Sequence, residues 1–245
     1  MKKAHLTILV ILNCLQFIAL TYLLIEFRAW DKLALFRKSH SIVDFHQPHL
    51  RNSNFRAHLG FFNVYGTPLS SHLIVGDSMV SSIDWKHFLN RSDVVNLGIP
   101  GDSLPGILHR IDQHLLSTPA SITLWIGVND VLQGKSPKET IALFKKLKIK
   151  LSGFKGPICL VGITPLAKSW RGSSTLNLNI SKVNHELTSL CQISGWKFLN
   201  SEDILATQDG FLDLAFTYDG LHLDAHGYKR ISEEIGAFIE MNDSP

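Results

Sequence analysis

From residue 71 onward the chain alternates short apolar runs with stretches of helical periodicity, and no other feature restricts its fold as much. SHLIVGDS, VVNLGIPGD, SITLWIGVND and PICLVGITP each read as a buried strand running into a turn, and GWKFLN as a weaker fifth. Helical patterns lie at 82–90, 104–116, 137–151, 175–193 and 225–240, the last opening after Asp224, a good N-cap residue. Apolar strands alternating with helices imply a parallel sheet covered on both faces. The expected fold class is therefore α/β: a flavodoxin-like three-layer α/β/α sandwich with a mainly parallel five-stranded sheet. Sites in such sheets gather at the carboxyl ends of the strands, near the point where strand order reverses. Polar residues stand at several of those ends: Asp77-Ser78 after the first strand, Gly98 at the second and Asn129-Asp130 after the third.

A different constraint governs the N-terminus. Residues 4–25, AHLTILVILNCLQFIALTYLLI, contain no Asp, Glu, Lys or Arg. As a helix they would reach about 33 Å, against roughly 30 Å of bilayer hydrocarbon. The run ends in TYLLIEFRAW, which offers no small-x-small cleavage site, so an uncleaved anchor is expected ahead of a signal peptide. Lys2 and Lys3 hold the N-terminus on the cytoplasmic side, while Arg28, Lys32, Arg37 and Lys38 pull the other way. The soluble part of the chain is expected on the extracytoplasmic side. The domain plan is thus an anchor over 1–25, a juxtamembrane connector over 26–70, helical in part at 27–38, and a soluble domain over 71–245.

Charge follows the same division. Residues 1–38 carry six Lys or Arg against two acids, and the remainder carries 18 against 19, so the net +3 comes from the N-terminal end. No basic face for nucleic acid is implied. With 45% hydrophobic and 18% charged residues, disorder, collagen and coiled coil are excluded. Cys14, Cys159 and Cys191 form no disulfide framework, and His40, His46, His49 and His58 match no zinc spacing. No P-loop, G-x-G-x-x-G or metal constellation occurs, so no cofactor is expected. The lysines 145, 146, 148, 150 and 155 near one helix C-terminus read as a solvated face.

Four short blocks stand at the strand ends. They are Gly76-Asp77-Ser78, then Asn96 to Ser103 (NLGIPGDS) with Arg110 further on, then Gly127-Val128-Asn129-Asp130, then Asp219-Gly220-Leu221-His222-Leu223 followed by DAHGYKR. In this order they resemble the nucleophile, glycine, G-x-N-D and D-x-x-H blocks of the SGNH (GDSL-type) esterases and lipases. The resemblance spans 76–228, with Met79-Val80 in place of the commoner residues after the serine. It implies a serine esterase acting on carboxylic esters, an O-acetylated carbohydrate or an acyl lipid, without a cofactor.

The residues suit that chemistry. Ester cleavage needs a nucleophile, a base for the nucleophile's proton and donors for the oxyanion. Ser78 is expected as nucleophile, lifted above the sheet edge by a strand-to-helix turn. His222 is expected as general base, with Asp219 three residues earlier to hold its other ring nitrogen. The N–H groups of Ser78 and Gly98 and the side-chain amide of Asn129 are expected to form the oxyanion hole. Ser103, in the second G-D-S, belongs to the glycine block and lacks a D-x-x-H partner of its own. His226 competes with His222 and loses on spacing. Asp77 and Asp130 are expected to support turns. A non-catalytic binding module and an acyltransferase with the same triad are the alternatives.

If residues 4–25 anchor the chain, the full-length protein should resist high salt and alkaline carbonate, dissolve in detergent and retain residues 1–25 by mass. A mature chain beginning near residue 27 would identify a signal peptide instead. Alkaline phosphatase fused at residue 70 should be active, and an inactive fusion would reverse the orientation.

Overall fold

The computed structural model describes residues 48–243 and, before them, only Gln16, which lies in a helix. Two short helices, α1 (Pro48–Arg51) and α2 (Ser53–Tyr65), precede the first strand. Then follow β1 (His72–Gly76), α3 (Ser78–Ser81), α4 (Trp85–Phe88), β2 (Val94–Gly98), α5 (Leu104–Leu115), β3 (Ser121–Trp125), α6 (Val128–Leu132) and α7 (Pro137–Lys150). The chain continues through β4 (Ile158–Val161), α8 (Ser173–Ser194), β5 (Lys197–Leu199), α9 (Ser201–Leu205), a 3₁₀ turn at Leu214–Phe216 and α10 (Ala225–Asp243). All strand pairs are parallel, in the order β2-β1-β3-β4-β5. That is the doubly wound flavodoxin-like order, with its switch point between β1 and β3.

Side-chain alternation along each strand supplies both faces. Leu73, Val75, Ile122, Leu124 and Leu160 pack with Ile107, Phe144, Val183 and Leu187 of α5, α7 and α8. Ile74, Trp125, Cys159 and Val161 pack on the other face with Val80, Trp85, Tyr228, Ile231 and Ile235. Two buried faces explain why the strands read as continuous apolar runs. The helix termini follow the sequence signals. Ser136 and Glu139 close a capping box on α7, and Asp224 accepts the N–H groups of His226 and Gly227, both at 2.9 Å, at the start of α10.

Two expectations change. In place of a single helix over 82–90 there are two one-turn helices, α3 over 78–81 and α4 over 85–88. Asp77 accepts the Met79 N–H at 2.9 Å and starts α3 directly after the strand, and Asp84 accepts the Lys86 N–H at 3.1 Å and starts α4 anew. The connector drawn over 26–70 contains α2, whose Phe55 is fully buried. The helix drawn at 27–38 and the anchor at 4–25 lie outside the described residues. Among the described residues, no helix is long and apolar enough to cross a membrane.

At the carboxyl ends of β1 and β2 the backbone comes very close to α3. Gly98 pairs with Gly76 in the sheet, and a Cβ on Gly98 would sit 2.3 Å from the Ser81 nitrogen and 2.7 Å from the Val80 carbonyl carbon. Only glycine lets the turn that carries Ser78 rest on the sheet. Beneath that turn Asp77 is fully buried. Its Oδ1 accepts the Met79 N–H, and its Oδ2 has no hydrogen-bond partner among the described residues. Burial pushes this carboxyl up to about 8; the Met79 N–H opposes the rise, and the neighbouring Asp102 and Asp130 carboxyls add to it.

Gly98→Ala should destabilise the domain by about 1–3 kcal/mol through overpacking, read as a lower Tm. A Tm unchanged from wild type would show that the contact yields. Asp77 has a folded pKa above its ordinary value of 3.8, so its contribution to stability is complete below about pH 4 and is lost as pH rises through about 8. Asp77→Asn keeps the cap and cannot ionise. Its Tm should therefore gain on wild type from pH 4 to 9, by several °C at about 2–4 °C per kcal/mol. A constant offset across that range would refute the buried, proton-bearing carboxyl.

Candidate active site

The D-x-x-H loop is built by one hydroxyl. Thr217 Oγ1 donates to the His222 carbonyl at 2.6 Å and accepts the Gly220 N–H at 2.8 Å and the Asp219 N–H at 3.4 Å. This folds residues 217–222 into a closed turn. Asp219 Oδ1 then accepts the Leu221 and His222 N–H groups at 2.9 and 2.7 Å, leaving Oδ2 for the His222 ring. The His222 Nδ1 to Asp219 Oδ2 distance is 2.6 Å. Partial burial pushes the Asp219 carboxyl up, but the bonds from the His222 ring and the two backbone N–H groups outweigh it and hold the carboxyl below its usual range. The Tyr218 ring lies nearly parallel to the imidazole, with centroids 6.0 Å apart and 12° between planes.

Ser78 opens α3 at the end of β1, half-buried, with its Oγ 3.0 Å from His222 Nε2. An ionised carboxylate only accepts, so the proton between Asp219 and His222 belongs to Nδ1, and in the neutral imidazole Nε2 is then the acceptor facing Ser78. A hydroxyl, an imidazole and a carboxylate thus form one hydrogen-bonded run, brought together across 144 residues. Tyr228 holds the turn from below, its hydroxyl donating to the Met79 carbonyl at 2.8 Å.

Asn129, at the start of α6, donates through Nδ2 to the Asp102 carbonyl at 2.8 Å, which leaves the second amide hydrogen available. Asp130 beside it accepts the Leu104 N–H at 2.8 Å, capping α5, and lies 3.0 Å from Lys135 Nζ. Its role is structural, as the sequence suggested.

The expected oxyanion donor Gly98 is corrected. Its N–H donates to the side-chain oxygen of Asn96 at 2.9 Å and is already occupied. The ladder explains this: Ile99 N–H donates to the Gly76 carbonyl at 3.0 Å, so the preceding N–H points to the opposite edge of β2. What Gly98 supplies is closeness to α3. The free amide lies three residues on. Asp102 N–H donates to the Ile99 carbonyl at 3.0 Å, closing a turn with Pro100 at its second position and Gly101, φ +74°, at its third. This is the type II pattern, which needs a positive φ at the third position. Neither the Gly101 nor the Ser78 N–H has an acceptor among the described residues. Reading the sequence alone misses Gly101, although Pro-Gly is the ordinary signal of a type II turn.

The decoys separate clearly. Ser103 is buried at the N-terminus of α5, its N–H bonded to Asp102 Oδ1 at 2.8 Å, and among the described residues no hydrogen bond joins it to a histidine. His226 is exposed on the first turn of α10. No three His, Cys, Asp or Glu side chains gather into a possible metal site among the described residues.

Residues 75–230 match the GDSL-like lipase/acylhydrolase family. The chain is 27% identical over 171 residues to the N-acylneuraminate cytidylyltransferase of Streptococcus agalactiae serotype III, covering 70% of this chain but 39% of that protein. It thus spans about two fifths of the length of that relative. It is 25% identical over 174 residues to human platelet-activating factor acetylhydrolase IB subunit alpha2, covering 68% of this chain and 75% of that one. Among solved structures, a GDSL-like lipase from Bacteroides thetaiotaomicron superposes with a TM-score of 0.67 at 18% identity, over 77% of this chain and 98% of that one. A mutant of the acetyl-xylooligosaccharide esterase Axe2 from Geobacillus Stearmophilus superposes with a TM-score of 0.60 at 13% identity, over 73% and 96%. These last two likenesses are of fold. With its four blocks at the strand ends and the family match over 75–230, the chain belongs to the GDSL-like lipase/acylhydrolase family, a family of carboxylic ester hydrolases.

Proposed function

We propose that this protein is a membrane-anchored serine esterase that removes short acyl groups, acetyl foremost, from carbohydrate hydroxyls by way of an acyl-enzyme on Ser78. One observation carries the reading: the run from Ser78 Oγ to His222 Nε2 at 3.0 Å and from His222 Nδ1 to Asp219 Oδ2 at 2.6 Å.

The chemistry follows from those atoms. Nε2 takes the hydroxyl proton as Ser78 Oγ bonds to the ester carbonyl carbon, and the carbonyl oxygen becomes an oxyanion. The N–H groups of Ser78 and Gly101 and the free amide hydrogen of Asn129 receive that oxygen. The imidazolium, held by the Asp219 carboxylate, gives its proton to the leaving alkoxide as the carbon–oxygen bond breaks. Water then repeats the sequence on the acyl-Ser78 ester, losing a proton to His222 and releasing the carboxylic acid and Ser78. Were a second sugar hydroxyl to replace that water, the same steps would transfer the acyl group.

One observation favours a small acyl group on a sugar. Relatives and neighbours carry acetyl esters or sugars in their names: an acetylhydrolase, an acetyl-xylooligosaccharide esterase and an N-acylneuraminate cytidylyltransferase. The membrane and extracytoplasmic parts of the reading rest on residues 4–25 and Lys2-Lys3 in the sequence.

Purified protein should hydrolyse p-nitrophenyl acetate faster than the octanoate; the reverse order would favour an acyl lipid. Ser78→Ala and His222→Ala should each lower kcat by about 10⁴ or more without unfolding the domain, and Asp219→Asn by somewhat less. Asn129→Ala should cost about 10²–10³, in kcat more than in KM. Ser103→Ala should keep most of the activity. Activity lost in Ser103→Ala and kept in Ser78→Ala would overturn the assignment, and a folded wild type inert on every ester and acyl acceptor would mark a binding module.

A further inference from the structure

Residues 48–65 precede the first strand, yet they hold on to the oxyanion turn. Phe55 of α2 is fully buried against α5, where a Cβ on Gly106 would meet its ring at 3.0 Å, and its ring centroid is 6.1 Å from that of His109. Phe62 packs edge-on against His114 at 5.1 Å and lies 5.8 Å from the Arg110 guanidinium. Between α1 and α2 sits Asn52, and both ends of its amide are used. The oxygen accepts the Asn54 and Phe55 N–H groups at 2.9 and 3.3 Å, capping α2. The nitrogen donates to the Pro100 carbonyl at 2.9 Å, across 48 residues.

That carbonyl belongs to the same planar peptide unit as the Gly101 N–H. In a trans peptide the two point in opposite directions, so holding one aims the other. Type I and type II turns differ mainly by a rotation of roughly 180° of this central peptide. Rotation would replace the Gly101 N–H by the Pro100 carbonyl oxygen, turning a donor for the oxyanion into a repelling acceptor. A hydrogen bond to the Pro100 carbonyl opposes that rotation, and it also polarises the peptide so that its N–H donates more strongly.

We propose that Asn52 is a positioning residue for ester hydrolysis, locking the central peptide of the Ile99–Asp102 turn in the orientation that presents the Gly101 N–H to the oxyanion. The proposal rests on the esterase reading and on the oxyanion role of Gly101 within it. Helix α2 is then part of the catalytic apparatus, because the residue that caps it also sets the turn.

Asn52→Asp separates the two functions of the side chain. It keeps an acceptor for the α2 cap but turns a carboxylate oxygen toward the Pro100 carbonyl. Asn52→Ala removes clamp and cap together. With full-length protein in detergent and p-nitrophenyl acetate as substrate, Asn52→Asp should lower kcat about tenfold or more, a part of the roughly 10²–10³ that one oxyanion donor is worth. Its KM should stay within about twofold and its Tm near wild type. Asn52→Ala should show the same kcat loss together with a lower Tm. Asn52→Asp at wild-type kcat, in a protein that Ser78→Ala inactivates, would sink this proposal alone. Activity that falls only in step with Tm would also overturn it, reducing Asn52 to a helix cap. Hydrolysis retained by Ser78→Ala would sink the esterase reading and the proposal with it.

Discussion

The fully buried pair of Asp102 and Arg110 is the interaction on which the site depends. Arg110 Nε lies 3.0 Å from Asp102 Oδ2, and both side chains are wholly removed from solvent. Arg110 Nη2 donates to the Leu97 and Gly76 carbonyls at 2.8 and 3.2 Å, so one guanidinium grips the ends of β2 and β1. Asp102 Oδ1 takes the Ser103 N–H, and the Asp102 carbonyl takes the Asn129 amide. A buried ion pair is poor evidence for stability, since desolvation offsets much of the attraction, but removing one partner costs about 3–5 kcal/mol. What the pair secures here is position: the nucleophile strand, the glycine turn and the Asn129 amide are fastened to one another.

That arrangement also explains the state of Asp77. Arg110 directs its charge to Asp102, and Lys135 lies against Asp130. Asp77 is left buried beside two carboxyls without a cation of its own. The protein gains a cap on Met79 from it and accepts a carboxyl that holds its proton well above the usual range. The Ser78 turn thus rests on a carboxyl pushed toward its neutral form, while the carboxylate bonded to His222 belongs to the 217–222 loop.

His222 and Asp219 share a loop, whereas the proposed oxyanion donors, the Ser78 and Gly101 N–H groups and the Asn129 amide, are dispersed over three. This difference decides what could be read directly. Asp219 and His222 are three residues apart, and Thr217 closes their turn through local hydrogen bonds. Such short-range geometry is legible as spacing. The strands were legible too, because two buried faces force nearly unbroken apolar runs, and helix starts were legible where Ser136 or Asp224 cap them. Around α3 and α4 the reading failed, because Asp77 and Asp84 each end one local pattern and begin another within a few residues.

By itself, then, the sequence determined the parallel α/β fold and marked Ser78, Asp219 and His222 as candidates, since strands and helices show as periodicity and the four blocks as spacings of a few residues. Only the tertiary structure decided which glycine offers its N–H. Gly98 and Gly101 are equally unhindered in sequence, but ladder alternation turns the first toward Asn96, while the Pro100-Gly101 turn leaves the second free. It likewise decided that Asn52, 48 residues before the turn, touches it. Hydrogen bonds between segments far apart in the chain have no period and no fixed spacing; they exist only once the hydrophobic faces have packed and brought the two backbones within reach.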